Sequence, residues 1–261
     1  MFYLSLLRML FGVSLLNELE YRANFWFQLL QSAISVGTAL GGLAVIFSHT
    51  ATLGGWRPEE LVLLLGIYTA MSGFMGAVIS PNMERLMQDV REGTLDFALT
   101  KPVSSQFLVS FRQVAIWRLT DVLLGVALAG GATTRLGTLV GPLQAVFFAL
   151  ALVAGAVIVY SFRLLLATLT FWVIRVENIM VIFSSLYDAG RYPVGLYPDW
   201  LRMLLTFAVP VAFATTVPAE ALAGRLGLLQ LSGAVALAAV LLGAASAFWR
   251  VGLRSYTGAS A

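Results

Sequence analysis

The sequence predicts an all-α membrane protein with six transmembrane helices. Hydrophobic residues make up 59% of the 261 residues and charged residues only 11%, and the mean hydropathy is +0.88. Soluble domains carry about a quarter charged residues. The apolar residues are also grouped in uncharged runs of about 20 or more, which suffice to cross a hydrocarbon core of about 30 Å as helices. We therefore expect residues 1–261 to form one membrane domain.

Uncharged runs locate most of the spans. Four of them are long enough to cross: Ala23–Ser48, Leu61–Ile79, Gly137–Phe162 and Leu226–Trp249. A further span, Phe107–Thr134, carries Arg112, Arg118 and Asp121 in its first half. Arg118 and Asp121 are three residues apart on one predicted helix, so we expect them to neutralise each other. A substrate contact is the alternative role for this pair.

The fifth span is harder to place, because charges interrupt the sequence after the fourth. We expect the fourth span to end near Phe171–Trp172 and the fifth to begin near Glu177, with Arg175 and Asp188 marking the breaks. Arg163, inside the fourth span, is expected to extend its guanidinium toward the inner surface.

An apolar stretch before the last span is predicted not to cross. Met203–Ala219 contains Pro210 and Pro218, which interrupt a helix, and broken helices at membrane depth are tolerated where they are buried in protein. We predict a pair of re-entrant half-helices within an outer region spanning residues 188–224.

The basic residues indicate the orientation. With both termini in the cytoplasm, the inner side carries eleven basic residues: Arg8, Arg22, Arg85, Arg91, Lys101, Arg112, Arg118, Arg163, Arg175, Arg250 and Arg254. The outer side then carries five: Arg57, Arg135, Arg191, Arg202 and Arg225. An excess of basic residues on the cytoplasmic side is the usual pattern.

Residues 1–22 are predicted to form a helix in the inner membrane interface. Met1–Leu16 is apolar but short, and Arg8 interrupts it. No basic start and no small-residue cleavage site are present, so a signal peptide is not expected. An additional N-terminal span is the alternative.

A polar segment, Ser80–Asp96, stands between two of the apolar runs and is followed by Lys101-Pro102. Ser80 suits a helix N-cap, Pro81 the first helical position, and Gly93 the end of the helix. Apolar residues recur at helical spacing on one face: Met83, Leu86, Met87 and Val90. The other faces carry Glu84, Arg85, Gln88, Asp89, Arg91 and Glu92. The pattern predicts a short amphipathic helix at the membrane surface.

We interpret residues 81–106 as a cytoplasmic coupling region through which a soluble motor protein moves the membrane domain. The apolar face would fill a groove on that partner or pack beneath the spans, and the charges would pair at the rim. The expected coupling residues are Met83, Glu84, Arg85, Leu86, Met87, Asp89, Val90, Arg91, Glu92, Gly93 and Asp96. A passive interfacial helix is the alternative.

The sequence offers no catalytic or metal-binding pattern. It contains one histidine, His49, no cysteine and no Gly-x-x-x-x-Gly-Lys-Ser/Thr phosphate loop. We therefore expect no enzyme activity and no cofactor on this chain, so that ATP, if used, binds another subunit. A secondary carrier or channel, and a membrane enzyme or scaffold, are the rival classes. Gly37 and Gly41 form a Gly-x-x-x-Gly pattern, a candidate helix-contact face.

Several segments resemble a family of bacterial type-two ABC exporter permeases. They are Glu18–Phe25, Arg91–Phe97 with Lys101–Phe107, Arg191–Pro193 with Tyr197-Pro198, and Leu253–Ser260. The resemblance implies six spans, an N-terminal interfacial helix, a cytoplasmic coupling helix and outer re-entrant helices. It also implies an ABC ATPase dimer that holds ATP and Mg²⁺, and a second permease, often a related but non-identical chain. From their pattern, Gly37 and Gly41 are the residues expected to contact that second permease.

The resemblance further implies a multi-pass protein of the bacterial plasma membrane. An apolar interface between two permeases suits a lipid, an amphipathic small molecule or a peptide as cargo. No nucleic-acid partner is expected. Import instead of export, and a homodimer instead of a heterodimer of permeases, are the alternatives.

Overall fold

The computed structural model describes residues 2–19, 22–137, 140–173 and 176–256, and the regular secondary structure within these ranges is helical. Glu20, Tyr21, Arg175 and the tail from Thr257, which were used above, lie outside these ranges. The helices are α1 (Phe2–Leu19), α2 (Arg22–Phe47), α3 (Pro58–Glu92), α4 (Asp96–Leu99), α5 (Ser105–Phe111), α6 (Leu119–Leu136), α7 (Pro142–Thr168), α8 (Glu177–Tyr187), α9 (Asp199–Met203), α10 (Val211–Ala214), α11 (Thr216–Leu222) and α12 (Leu228–Ser255).

Among the described residues, five helices are long and apolar enough to cross a membrane: α2, α3, α6 with the 3₁₀ turn before it, α7 with the 3₁₀ turn after it, and α12. We call the end of the bundle that carries α1 and residues 80–111 the inner end, following the predicted orientation. The loop around Gly54 and Gly55 lies at the outer end.

Between α7 and α12 the chain crosses back to the outer end through several short helical segments and not through one continuous helix. The two helices run parallel, because Gln144 lies beside Gly224 near their starts and Phe171 lies against Gly252 near their ends. The chain must therefore cross back between them. It does so through α8, which has only 11 residues, or about 16 Å of helix, and then through short 3₁₀ turns that bring Leu196 against Gly54. A helix does begin at Glu177 as predicted, but with 11 residues it is not among the helices long enough to cross a membrane, so the predicted fifth span is not one continuous helix.

The apolar stretch before α12 forms a bent hairpin. Its arms, Asp199–Ala208 and Val211–Leu222, meet at 69°. At the bend, the backbone of Phe213 packs on Gly155, midway along α7. Just beyond the second arm, Arg225 donates a hydrogen bond to the carbonyl oxygen of Gly55 at 3.0 Å. Since Leu196, just before the first arm, also lies at the outer end, the hairpin enters and leaves at that end and does not cross the bundle.

The α1 helix lies across the inner end. The ring of Tyr3 packs edge-on against Phe107, with 4.8 Å between centroids, and the backbone N–H of Val114 donates to the hydroxyl of Ser14 at 3.2 Å. Both halves of α1 therefore contact the same end of the bundle, which is the placement of an interfacial helix and not of an additional span.

The predicted polar helix is the inner part of α3, which runs for 35 residues from Pro58 to Glu92. At 1.5 Å per residue this is about 52 Å, well beyond a hydrocarbon core of about 30 Å. Ser80 was predicted to cap the start of a new helix. It does not, because its φ and ψ of −58° and −52° are those of a residue inside a helix. Pro81 cannot donate to the carbonyl of Ala77, and the N–H of Ala115 bonds that carbonyl instead at 2.8 Å. A π-helical turn at Met75–Ile79 directly precedes Ser80 and Pro81, and the helix continues beyond the proline.

The tightest helix contact in the described bundle joins α3 to α6 through glycines. A Cβ added to Gly66 would lie 2.6 Å from the backbone nitrogen of Ala129, and one added to Gly125 would overlap the backbone of Ala70. Gly37 and Gly41 have no atom within 4 Å of such a Cβ. The glycine pattern singled out in the sequence therefore faces outward, and the close contact within the chain uses other glycines.

Replacing Gly125 with alanine is expected to destabilise the protein by about 1–3 kcal/mol, because the added methyl group forces two backbones apart. Thermal unfolding of the detergent-solubilised protein, followed by size-exclusion chromatography, measures the effect. Gly130→Ala, on the same helix, is the matched control, since a Cβ there meets nothing within 4 Å. Equal unfolding temperatures for the two variants would contradict the packing described.

Candidate functional site at the inner end

The apolar face of the inner part of α3 is buried by the chain itself. Met83, Leu86 and Met87 are each at most 2% exposed and join the main hydrophobic core, against which Val90 also packs. Of the two roles considered for this face, packing beneath the spans is the one realised. The expectation that it fills a groove on a partner is wrong for the three buried residues, because no partner can reach them.

Asp89 is an internal ion-pair centre and does not lie at a rim. Its side chain is 2% exposed. One carboxylate oxygen accepts from Arg112 at 2.5 Å, and the other accepts from Arg85 at 2.9 Å and from the hydroxyl of Thr94 at 3.1 Å. The charge pairs at the rim predicted for Asp89 and Arg85 are therefore contacts within this chain. The contact between Asp89 and Arg112 ties the end of α3 to the segment that follows α5.

Asn82 joins α3 to the start of the third span. Its side-chain amide donates to the carbonyl of Gln113 at 2.7 Å, and its oxygen accepts from the N–H of Gln113 at 3.0 Å. These bonds hold residues 112–115 outside any helix. The predicted span Phe107–Thr134 is therefore wrong in its first part: α5 ends at Phe111, and the crossing helix begins at Ile116.

Gly93 ends α3 as predicted. Its φ of 71° and ψ of 14° are left-handed, and its N–H donates to the carbonyl of Asp89; this conformation is costly for any residue with a Cβ. The chain then turns into α4, with Asp96 in its first turn. Leu95 and Ala98 are buried at 0% and 4% exposure, whereas Phe97 between them is 75% exposed.

Residues 80–101, the inner part of α3 with α4 and the residues that follow it, form the inner projection of the protein. We term a set of its exposed side chains the docking face, which consists of Glu84, Gln88, Arg91, Glu92, Phe97 and Lys101. Gln88 donates to Glu92 at 2.8 Å, and the Nε of Arg91 approaches the carbonyl oxygen of Met87 at 3.3 Å. Glu84, Arg91 and Glu92 were predicted as coupling residues. Phe97 was missed because hydropathy alone cannot distinguish an exposed phenylalanine from the buried neighbours that surround it.

Tyr256 links the last helix to this projection. It follows directly after α12 and packs edge-on against Phe171, with 5.9 Å between ring centroids. Burial, with a contribution from the charge of Asp96, raises the pKa of Tyr256. The phenol is therefore neutral at physiological pH and adds no charge beside the docking face.

A cavity of about 950 Å³ extends from the docking face into the bundle. It is lined by helix α3, the start of the third span, α7 and α8, and its polar lining includes Ser80, Arg118, Arg163, Ser184, Tyr187 and Asp188. Arg118 lies 3.7 Å from Asp121, so the predicted neutralisation is confirmed. Asp121 also accepts hydrogen bonds from Gln28, at 3.1 Å, and from Ser32 on α2.

Arg163 was predicted to extend its guanidinium toward the inner surface, and this prediction is wrong. Its side chain is held inside the bundle, at 4% exposure. The two terminal nitrogens donate to Ser80 at 2.7 Å and to Ser184 at 2.9 Å, and the guanidinium lies 5.0 Å from the ring centroid of Phe183. These contacts keep the charge at the cavity wall.

The helices that are long and apolar enough to cross a membrane, five among the described residues, define a multi-pass membrane protein. The protein-family model described as "ABC-2 family transporter protein" matches residues 33–260 of this chain. The chain belongs to this family and is a membrane permease component of an ABC transporter, a class that associates with an ABC ATPase. Searches of curated proteins and of solved structures found no match.

Proposed function

We propose that this chain is an exporter permease whose docking face is held by an ABC ATPase dimer in the cytoplasm. The observation that carries the proposal is Phe97, which is 75% exposed on a projection whose other apolar side chains are almost all buried. An exposed aromatic residue with charged neighbours is the composition of an interface anchor and its rim. The same face offers Glu84, Glu92 and Lys101 to set the register of a partner.

The mechanism follows from the rigidity of the projection. Since α3 continues from the docking face into the bundle as one helix of 35 residues, a displacement at Glu92 is carried along it into the second span. The bonds of Asn82 to Gln113 carry the same displacement to the start of the third span. The π-helical turn at Met75–Ile79 is the natural bending point of this helix, because such turns interrupt the regular ladder of hydrogen bonds. ATP and Mg²⁺ bind to the ATPase and not to this chain.

A second permease would complete the transport path. Only 11% of the residues in the most apolar stretch of α2 are buried within the chain. Gly37 and Gly41 on this helix have no neighbouring atom within 4 Å of the position of a Cβ. A helix face with small residues allows close approach of another helix. We assign this face to contact with a second permease, more readily a related chain than an identical one. Both termini would be cytoplasmic and the membrane the bacterial plasma membrane, with a lipid-like molecule, an amphipathic small molecule or a peptide as cargo.

Purification of the tagged full chain from native membranes in mild detergent tests the proposal. We expect an ABC ATPase and a second permease to co-purify with it, with one copy of each permease per complex, and ATP hydrolysis to require the complex. The chain alone is expected to hydrolyse no ATP. An assembly of this polypeptide alone that transports without ATP would refute the proposal.

A further inference from the structure

Arg163 differs from the other buried charged residues in having no charged partner. In the part of the chain that the structure describes, three charged side chains are buried: Glu60, Asp89 and Arg163. Glu60 pairs with Arg225 at 2.7 Å, and Asp89 is paired as described above. Arg163 forms no ion pair within 4.0 Å with any residue that the structure describes. Buried charges are costly unless they are paired, so this position requires an explanation.

The neighbours of Arg163 satisfy only part of its hydrogen-bonding capacity. Ser80 and Ser184 are neutral acceptors, and the Nε of Arg163 has no acceptor among the described residues. The hydroxyl of Tyr187, which is 1% exposed, also has no partner among them. Arg163 and Tyr187 line the same cavity. A cationic donor and a phenol hydroxyl, both buried and both incompletely paired, therefore lie around one polar space.

Three acidic residues line this space, Glu84, Glu92 and Asp188, and none of them lies within ion-pair distance of Arg163. Asp188 accepts from the hydroxyl of Tyr68 at 2.7 Å and lies 3.9 Å from Arg191, so its charge is already engaged. Glu84 lines the cavity toward the docking face but lies beyond ion-pair distance of Arg163. The deep wall of the cavity therefore keeps a positive charge that has no directly bonded counter-ion, and the carboxylate of Glu84 acts on it only from beyond ion-pair distance.

The cavity also borders an apolar, exposed surface. Val181 on α8 lines the cavity and is 64% exposed, and Ile182 beside it is 58% exposed. The side of the cavity formed by α8 therefore meets the lipid-facing surface of the bundle. A volume of about 950 Å³ is at the upper end of the range for small-ligand pockets, roughly 300–1,000 Å³.

From these observations we infer that the cavity is a binding site for an anionic amphiphile, with its phosphate or carboxylate group held by Arg163 and Tyr187 and its apolar tail beside α8. A guanidinium binds such groups through parallel hydrogen bonds, and the Nε of Arg163 supplies a donor that the protein leaves unused. Tyr187 donates its hydroxyl hydrogen. This inference deepens the proposed function by naming the class of molecule that the permease takes.

Binding to the purified full chain, without the ATPase, tests the inference. Monomeric dihexanoyl phosphatidylglycerol, dihexanoyl phosphatidylcholine and inorganic phosphate are titrated by calorimetry. We expect the anionic lipid to bind at least tenfold more tightly than the zwitterionic one, and Arg163→Gln to weaken its binding at least tenfold. Arg250→Gln, which removes an exposed arginine from the inner part of α12 outside the cavity lining, is the matched control and is expected to bind as the wild type does.

The outcomes are distinguishable. Equal binding of the anionic lipid to wild type and Arg163→Gln overturns the site. Inorganic phosphate binding as tightly as the lipid, with the same dependence on Arg163, supports the anion site but overturns the amphiphile as its occupant. If Arg163→Gln does not fold, Arg163→Lys combined with Tyr187→Phe makes the comparison, and unchanged binding by that variant overturns the inference. Because no ATPase is present, a negative result leaves the docking proposal untouched.

Discussion

Asp89→Ala is expected to destabilise the protein by roughly 3 kcal/mol, because it leaves Arg112 uncompensated in a mostly buried position. Arg112 is 21% exposed and Arg85 is 42% exposed, so solvent recovers part of the larger cost of a fully buried pair. The temperature of half-unfolding in detergent measures the loss. We also expect faster proteolysis of the segment around Arg112, since the same ion pair fixes it against α3.

Glu92→Ala is the matched control for this experiment. It removes a carboxylate three residues further along the same helix, but from an exposed position, where substitutions usually change stability by no more than about 0.5 kcal/mol. Equal stability of the Asp89 and Glu92 variants would contradict the burial and pairing of Asp89. The expected result also means that a transport defect in an Asp89 variant would reflect loss of the projection and not loss of a contact with the ATPase.

Phe97→Ala is expected to have the largest effect on partnership. Removal of a central aromatic anchor from an interface typically costs on the order of 2 kcal/mol, or about 30-fold in affinity. The fold should be unaffected, because the side chain is 75% exposed. The amount of ABC ATPase recovered per permease, and the ATP hydrolysis of the recovered complex, should both fall at equal membrane abundance.

Phe207→Ala is the matched control for Phe97. It removes the same side chain at 76% exposure, from the hairpin that enters at the outer end, which the proposed orientation places on the side of the membrane away from the ATPase. We expect ATPase recovery equal to that of the wild type. If the Phe97 and Phe207 variants recover the same amount of ATPase, the docking face lies elsewhere on the inner end.

Features encoded by local sequence were predictable. The end of α3 at Gly93 follows from the conformational freedom of glycine. The pairing of Arg118 with Asp121 follows from their spacing on one helix. The uncharged runs located the spans because a hydrocarbon core imposes its thickness on any helix that crosses it.

Features that depend on distant contacts were not predictable. Helical periodicity places Asp89 on a polar face, but its partner Arg112 is 23 residues away in a segment that the same periodicity assigned to a helix. That segment is not helical because Asn82 bonds its backbone. Arg163 is retained inside the bundle by two serines, one on α3 and one on α8, and no local pattern brings these three residues together.

Site-specific photo-crosslinking tests the central claim most directly. A benzoylphenylalanine introduced at Phe97 of the full chain, irradiated in native membranes, should crosslink to an ABC ATPase identified by mass spectrometry. The same probe at Phe207 should give no ATPase crosslink. An ATPase that co-purifies with the permease yet crosslinks at neither position, or equally at both, would contradict the assignment of the docking face.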